Sequence, residues 1–156
     1  MKKIIVLLAI IFMSSCSLIK AESTEFVMPH GIYNPIAAWK WVSANIQYKS
    51  DASNLYHIQT PQETIDKGTG DCKAFSILLA AMLDYLGYDN VWMVYIKWSN
   101  GSSHALVDTD IFVSNVGSYI EPQHFNNYPA IGSFKEYSRM SYKEYKNLVA
   151  SGWIGY

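Results

Sequence analysis

Thiols are scarce: the chain has two cysteines, Cys16 and Cys72. That excludes the multi-disulfide framework on which many small secreted domains depend. Runs of one charge are missing too. The formal net charge is −1 and no cluster of Lys or Arg forms a basic stripe, which argues against nucleic acid as a partner. No apolar run approaches the roughly 20 residues of a membrane-spanning helix; Ile4 to Met13 is about half that long. Internal repeats and low-complexity segments are also absent. What remains is apolar and aromatic: half of the 156 residues are hydrophobic, with 12 tyrosines and five tryptophans. That suffices for one domain with its own core, is too little for two, and rules out global disorder.

The first residues form a separate unit. Lys2 and Lys3 precede the apolar run, which exits into Met13-Ser14-Ser15-Cys16. A cationic start, a short apolar stretch and a small-residue exit describe a secretory signal peptide. The exit resembles the bacterial lipobox, with Met13 where leucine is usual. This implies cleavage before Cys16 and a diacylglyceryl-cysteine as the new N-terminus, a membrane anchor on the extracytoplasmic side. Ser17 after it is permissive for the outer membrane of a Gram-negative cell. More than one acyl chain gives stable anchoring where a single chain is marginal. The alternative is ordinary cleavage near Ala21, which would release a soluble protein. The chain then divides into a lipoprotein signal peptide (1–15), a tether without periodicity (16–31) and one domain (32–156).

Within the domain, Asn34-Pro35 reads as a helix start, with Ile36, Trp39, Val42 and Ile46 at helical spacing. Thr60-Pro61-Gln62-Glu63 is a capping box that opens a short helix to Lys67. From Cys72, apolar residues Phe75, Leu78, Leu79, Met82, Leu83 and Leu86 recur on one helical face, and Gly87 terminates it. The period then changes. Val91–Trp98 and His104–Val107 read as strands around an Asn100-Gly101 turn, with further strands at Ile111–Val113 and Ser118–Glu121. A second capping box, Ser141 to Glu144, opens a helix to Ala150. Helices first and an antiparallel meander after them make the class α+β.

Chemistry centres on Cys72. A lone cysteine is more often a small buried hydrophobe than a nucleophile. Its position changes that balance: Asp71 caps the helix, so the sulfur stands at the first turn, where unpaired N–H groups and the helix dipole favour a thiolate. The same amides suit an oxyanion. A nucleophile of this kind needs a base, and the base an orienting acceptor. His30 lies in the tether, His57 in a polar loop and His124 beyond a proline, which leaves His104 on a strand. Asp108 shares a strand face with His104 but stands about 13 Å along it. Asp110 belongs to a turn. Glu121, at the end of another strand and followed by Pro122, is placed to meet the imidazole.

Gly70-Asp71-Cys72 at a helix start, His104 after a hairpin and an acidic residue before proline resemble the transglutaminase-like superfamily, closest to its bacterial cysteine proteinases. Asn45, Tyr48 and Asp51, then Gln59-Thr60-Pro61 with Glu63, and Leu86-Gly87-Tyr88 extend the resemblance over residues 35–125. It implies a papain-like core, with the nucleophile helix packed on an antiparallel sheet. It further implies Cys72 as nucleophile, His104 as general base and acid, and Glu121 as orienter. The reaction would be attack on a peptide or protein amide to form a thioester, then transfer to water or to an amine. The sequence departs from the family at Glu121, where aspartate is usual, at Lys73-Ala74, where many members carry an acidic pair, and at Ile58, often tryptophan. No calcium site, other metal or cofactor is carried over. Gln59 is the candidate oxyanion partner of the Cys72 amide.

Two other classes compete. A binding or scaffolding lipoprotein would keep this fold without activity, and Tyr33, Trp39, Trp41, Tyr56 and Trp98 could supply an aromatic recognition surface, although core packing accounts for most of them. A zinc site at Cys72, His104 and an aspartate lacks the paired ligands at short spacing that such sites use.

Overall fold

The computed structural model describes residues 25–50, 58–112, 117–129 and 132–151. Among these residues, four α-helices, a four-stranded antiparallel sheet and a separate two-stranded ladder make the α+β architecture. Helix α1 spans Pro35–Asn45, its first turn capped by Asn34, whose side chain accepts from the Ala37 amide. Helix α2, Pro61–Lys67, begins with the Thr60–Glu63 capping box and stops at Gly68, which adopts a left-handed conformation. Helix α3, Cys72–Tyr85, is the central element: every residue from Ala74 to Leu83 is buried. So complete a burial fits a helix walled on all sides rather than one lying on a surface.

Between these helices runs a two-stranded parallel ladder that the sequence pattern gave no sign of. Strand β1, Gln47–Tyr48, pairs with β2, Thr69–Gly70. The Gln47 amide donates to the Gly68 carbonyl and the Lys49 amide to the Gly70 carbonyl, both at 2.9 Å. This short strap fixes the chain immediately ahead of Cys72.

The main sheet contains β3 (Val91–Lys97), β4 (Ser103–Thr109), β5 (Tyr119–Ile120) and β6 (Lys135–Ser141), in the order β5-β4-β3-β6. Hairpin β3–β4 is in register from Val91↔Thr109 to Lys97↔Ser103. Helix α4, Tyr142–Ala150, follows β6 through the Ser141–Glu144 capping box, and Lys146 ties it to Asp84 of α3 at 2.7 Å. One sheet face joins the main core through Val91, Val107 and Ile120, packed with α1 and α3. The other buries Val94, Ile96 and Leu106 beneath Trp92, Trp98, Tyr119 and Phe134.

Three expectations change. The strand expected at Ile111–Val113 is instead a 3-10 turn, Asp110–Phe112, with Val113 outside the described residues. The chain turns there because Phe112 leaves the sheet to bury against the Trp39 ring, 5.3 Å away between centroids. The meander gains a fourth strand, β6, which crosses over to pair with β3. The tether expected over 16–31 is shorter: Phe26 and Met28 pack on the core, and the Val27 amide donates to Gln62 Oε1 at 2.9 Å. Signal peptide, Cys16, Asp51, Tyr56 and His57 lie outside the described residues.

Candidate active site

The first turn of α3 is built by Asp71. Its Oδ1 accepts from the Lys73 and Ala74 amides, at 3.0 and 3.1 Å, and its Oδ2 pairs with the Lys73 ammonium. The amide of Cys72 is not among Asp71's partners, which leaves the helix's first N–H beside the sulfur. Cys72 is a free thiol, and the residue is half-buried.

His104 stands at the start of β4, opposite Ile96, and its ring is hydrogen-bonded through Nε2. The Cys72 side chain lies close enough to act on its ring electrostatically. The His104 Nε2 lies 2.5 Å from Glu121 Oε2, and the Glu121 side chain is only 9% exposed. The structure thus sets His104 against Glu121 and close to Cys72. Asp108 is engaged elsewhere, with Ser118 and, at 3.2 Å, with Arg139. Asp110 accepts from Asn90, and His30 and His124 are exposed.

Glu121 follows the last residue of β5, so the sheet ladder does not hold it. A tight turn does. Its amide donates to the Asn127 carbonyl at 3.0 Å, and its own carbonyl accepts from His124 N–H at 3.2 Å and from the Trp39 indole at 2.8 Å. The second carboxylate oxygen accepts from the Gln123 amide at 3.0 Å, and the Gln123 side chain lies 3.4 Å from His104 Nε2. Trp98 flanks the imidazole, its ring centroid 6.0 Å away at 32°. Sequence reasoning missed Trp39 and Gln123 as members of the site. Trp39 read as core, which it also is, being fully buried, so it forms no recognition surface.

Gln59 lies beside the approach to Cys72. A Cβ built on Gly70 would come within 3.0 Å of Gln59 Oε1, so the amide stands against the backbone two residues before the thiol. Among the described residues, no group of three His, Cys, Asp or Glu side chains is arranged to hold a metal ion.

The electrostatics follow from this geometry. Burial pulls the His104 pKa down, but interactions with the Cys72 and Glu121 side chains outweigh it, raising the imidazole from 6.5 to about 9. At neutral pH the ring is a cation between two acidic partners. Folding therefore holds a proton that the unfolded chain releases between those two pH values. The resulting stabilisation is complete below about pH 6.5, falls as pH rises through the window, and is gone above about 9. Each tenfold gain in proton affinity is worth ~1.4 kcal/mol, so the full effect is at most on the order of 3 kcal/mol, less whatever solvent screening removes at the exposed edge of the ring. Urea unfolding midpoints measured across this range should fall with pH in the wild type and stay nearly level in His104→Gln; equal slopes in both would assign the loss to another group.

Residues 22–148 match the family described as a transglutaminase-like domain. No curated protein matches the chain by sequence. Among solved structures it is similar to calcium-bound LapG of Legionella pneumophila, with a TM-score of 0.54 and 15% identity over 69% of this chain and 63% of that one. EGTA-treated LapG gives 0.56 and 17%, over 69% and 61%. A cysteine-protease candidate from Cytophaga hutchinsonii gives 0.51 and 16%, over 68% of this chain and 35% of its own. At these identities the likeness is one of fold, and the chain spans about three fifths of the length of the LapG chains.

Proposed function

Because the chain belongs to the transglutaminase-like domain family, we propose that it is a thiol enzyme attacking peptide or protein amides, with Cys72, His104 and Glu121 as its triad. The observation that carries this reading is the hydrogen bond between the His104 imidazole and a buried carboxylate, with the half-buried Cys72 close enough to act on the same ring. Nε2 is taken by Glu121, which leaves Nδ1 for the sulfur. The reacting form is the ion pair in which the ring carries the proton and the sulfur attacks as thiolate. Sulfur attacks the amide carbonyl and forms the C–S bond. The oxyanion that develops is held by the Cys72 amide, with the Gln59 side chain as the second donor. As the C–N bond breaks, the imidazolium gives its proton to the leaving amine, and a thioester remains. His104, now neutral, then takes a proton from the incoming water or amine. Glu121 keeps the ring oriented and stabilises its cation throughout.

The anchor belongs to the same proposal. Cys16, lipidated after cleavage, would hold the domain on the extracytoplasmic face of a membrane, in the outer membrane if the cell is Gram-negative. No described helix is long and apolar enough to cross a membrane. Mass spectrometry of the N-terminal peptide of the mature chain tests it: a diacylated Cys16 is expected, and a free N-terminus near Ala21 overturns it.

A peptide carrying an amide-mimicking electrophile tests the chemistry. The detergent-extracted chain should be labelled at Cys72 near neutral pH far faster than after denaturation, and Cys72→Ala should remove the label. Equal labelling of native and denatured chains would sink the enzymatic reading and leave a binding lipoprotein. The departure at Lys73-Ala74 favours that second reading. Supplying labelled amines with protein acceptors then separates transfer from hydrolysis.

A further inference from the structure

The carboxylate at the end of the triad is held by a residue from the other end of the domain. Glu121 lies just past β5, and Pro122 after it has no N–H to give, so strand pairing cannot set its place. Its carbonyl instead accepts from the indole N–H of Trp39, 2.8 Å away and 82 positions earlier in the chain. Trp39 is 0% exposed. Its ring packs against Phe112 on one element and against Phe125 and Tyr128 on the turn that carries Glu121, each with centroids 5.2 to 5.3 Å apart. A buried tryptophan N–H is expected to find an acceptor. Here the acceptor it finds belongs to the backbone of the residue that bonds the imidazole.

We propose that Trp39 is a positioning residue: its indole N–H sets the height of the 121–127 turn and thereby the Glu121–His104 bond. The inference deepens the triad reading and rests on it for its catalytic consequence. It does not rest on it for the geometry. The carboxylate has little freedom of its own, since Oε1 is held by the Gln123 amide and Oε2 by His104. A displaced backbone would therefore be felt at the ring rather than absorbed by the side chain. A misplacement of about 1 Å at a catalytic group costs on the order of 100-fold in rate. The ionisable groups that act on the His104 ring are Cys72 and Glu121, and only Glu121 is held through Trp39.

Trp39→Phe keeps an apolar ring and removes the N–H. In the full chain it should slow electrophile labelling of Cys72 by about 10- to 100-fold at neutral pH. It should also bring the His104 titration, followed by NMR of the ring, down from about 9 toward 6.5. On a Glu121→Gln background the same substitution should change labelling by less than about twofold, because residues acting through one interaction are not additive. A multiplicative loss in the double variant, or an unshifted His104 titration in Trp39→Phe, would reduce Trp39 to core packing. Where Trp39→Phe does not fold, the wild-type indole N–H resonance serves instead. It should shift in step with the His104 titration, and a resonance unmoved through that range overturns the proposal. The NMR readouts need no activity, so an unlabelled wild type would sink the enzymatic reading while leaving the positioning role to be decided on its own.

Discussion

Glu121→Gln should slow acylation of Cys72 by about 100- to 10,000-fold near neutral pH, the range over which a positioned acid–base group contributes. The substitution is nearly isosteric, so the buried side chain (residue 7% exposed) keeps its volume and the fold should survive. What is lost is charge. Burial lowers the His104 pKa, and without the carboxylate only Cys72 remains to oppose it, so the imidazole should return from about 9 toward or below its ordinary 6.5. The amide can also present its NH2 to Nε2 and so favour the wrong tautomer of the ring. Glu121→Asp is the more discriminating variant. Aspartate is usual at this position in the family that the sequence resembles, yet the Glu121 backbone is held here by Asn127, His124 and Trp39. Removing one methylene, about 1.5 Å, from a carboxylate that now reaches Nε2 at 2.5 Å leaves a gap the turn cannot close freely. Glu121→Asp should therefore fall between wild type and Glu121→Gln. Second-order labelling rates from about pH 5 to 10, with circular dichroism to confirm folding, give both answers. A Glu121→Gln variant labelled as fast as wild type would remove the carboxylate from the mechanism.

Local signals in the sequence were sufficient wherever the structure is locally determined. Pro35, the Thr60–Glu63 box, Asp71 and the Ser141–Glu144 box each name a helix start, because a capping side chain and its amide lie within three residues of each other. The Asn100-Gly101 turn identified the β3–β4 hairpin for the same reason. Preferring Glu121 to Asp108 needed only the rise of a strand. Elements made by distant partners were not legible. Strand β6 is an edge strand among the described residues, and its Lys135, Glu136, Ser138 and Arg139 read as a polar tail, since one side of an edge pairs with no other described strand. The β1–β2 strap is two residues long on each side and has no period to detect. Trp39 declared its burial through helical spacing, but its indole bond goes to a carbonyl, and a backbone acceptor leaves no mark in sequence. One hint was present: Glu121 before Pro122 ends its strand, so something outside the sheet had to hold it.

The other large effect is expected at Gly70, where Gly70→Ala should misplace Cys72, the proposed nucleophile, while the domain still folds. A Cβ there would stand 2.6 Å from the Ala74 Cβ, 3.0 Å from Gln59 Oε1 and 3.4 Å from Thr64 Cγ2. Gln59 can swing aside. Ala74 cannot, because its methyl is fixed to the buried first turn of α3. Relief must come from the backbone, and the backbone is strapped: the Gly70 carbonyl accepts from Lys49 and the Asp71 carbonyl from Phe75. Strain of this kind costs about 1–3 kcal/mol. The rotation it forces falls on Asp71 and Cys72, so acylation should drop by about 100-fold or more, as expected for a nucleophile displaced by ~1 Å. Gly87→Ala is the control. Gly87 sits at φ +90° with no atom within 4 Å of its missing Cβ, at the far end of α3. Its substitution should cost a similar 1–2 kcal/mol through backbone strain alone and leave labelling within about twofold of wild type. Urea unfolding and labelling rates on both variants separate site geometry from general destabilisation. If Gly70→Ala is destabilised but labelled like Gly87→Ala, the close contact at Gly70 serves only helix packing and the thiol is positioned by Asp71 alone.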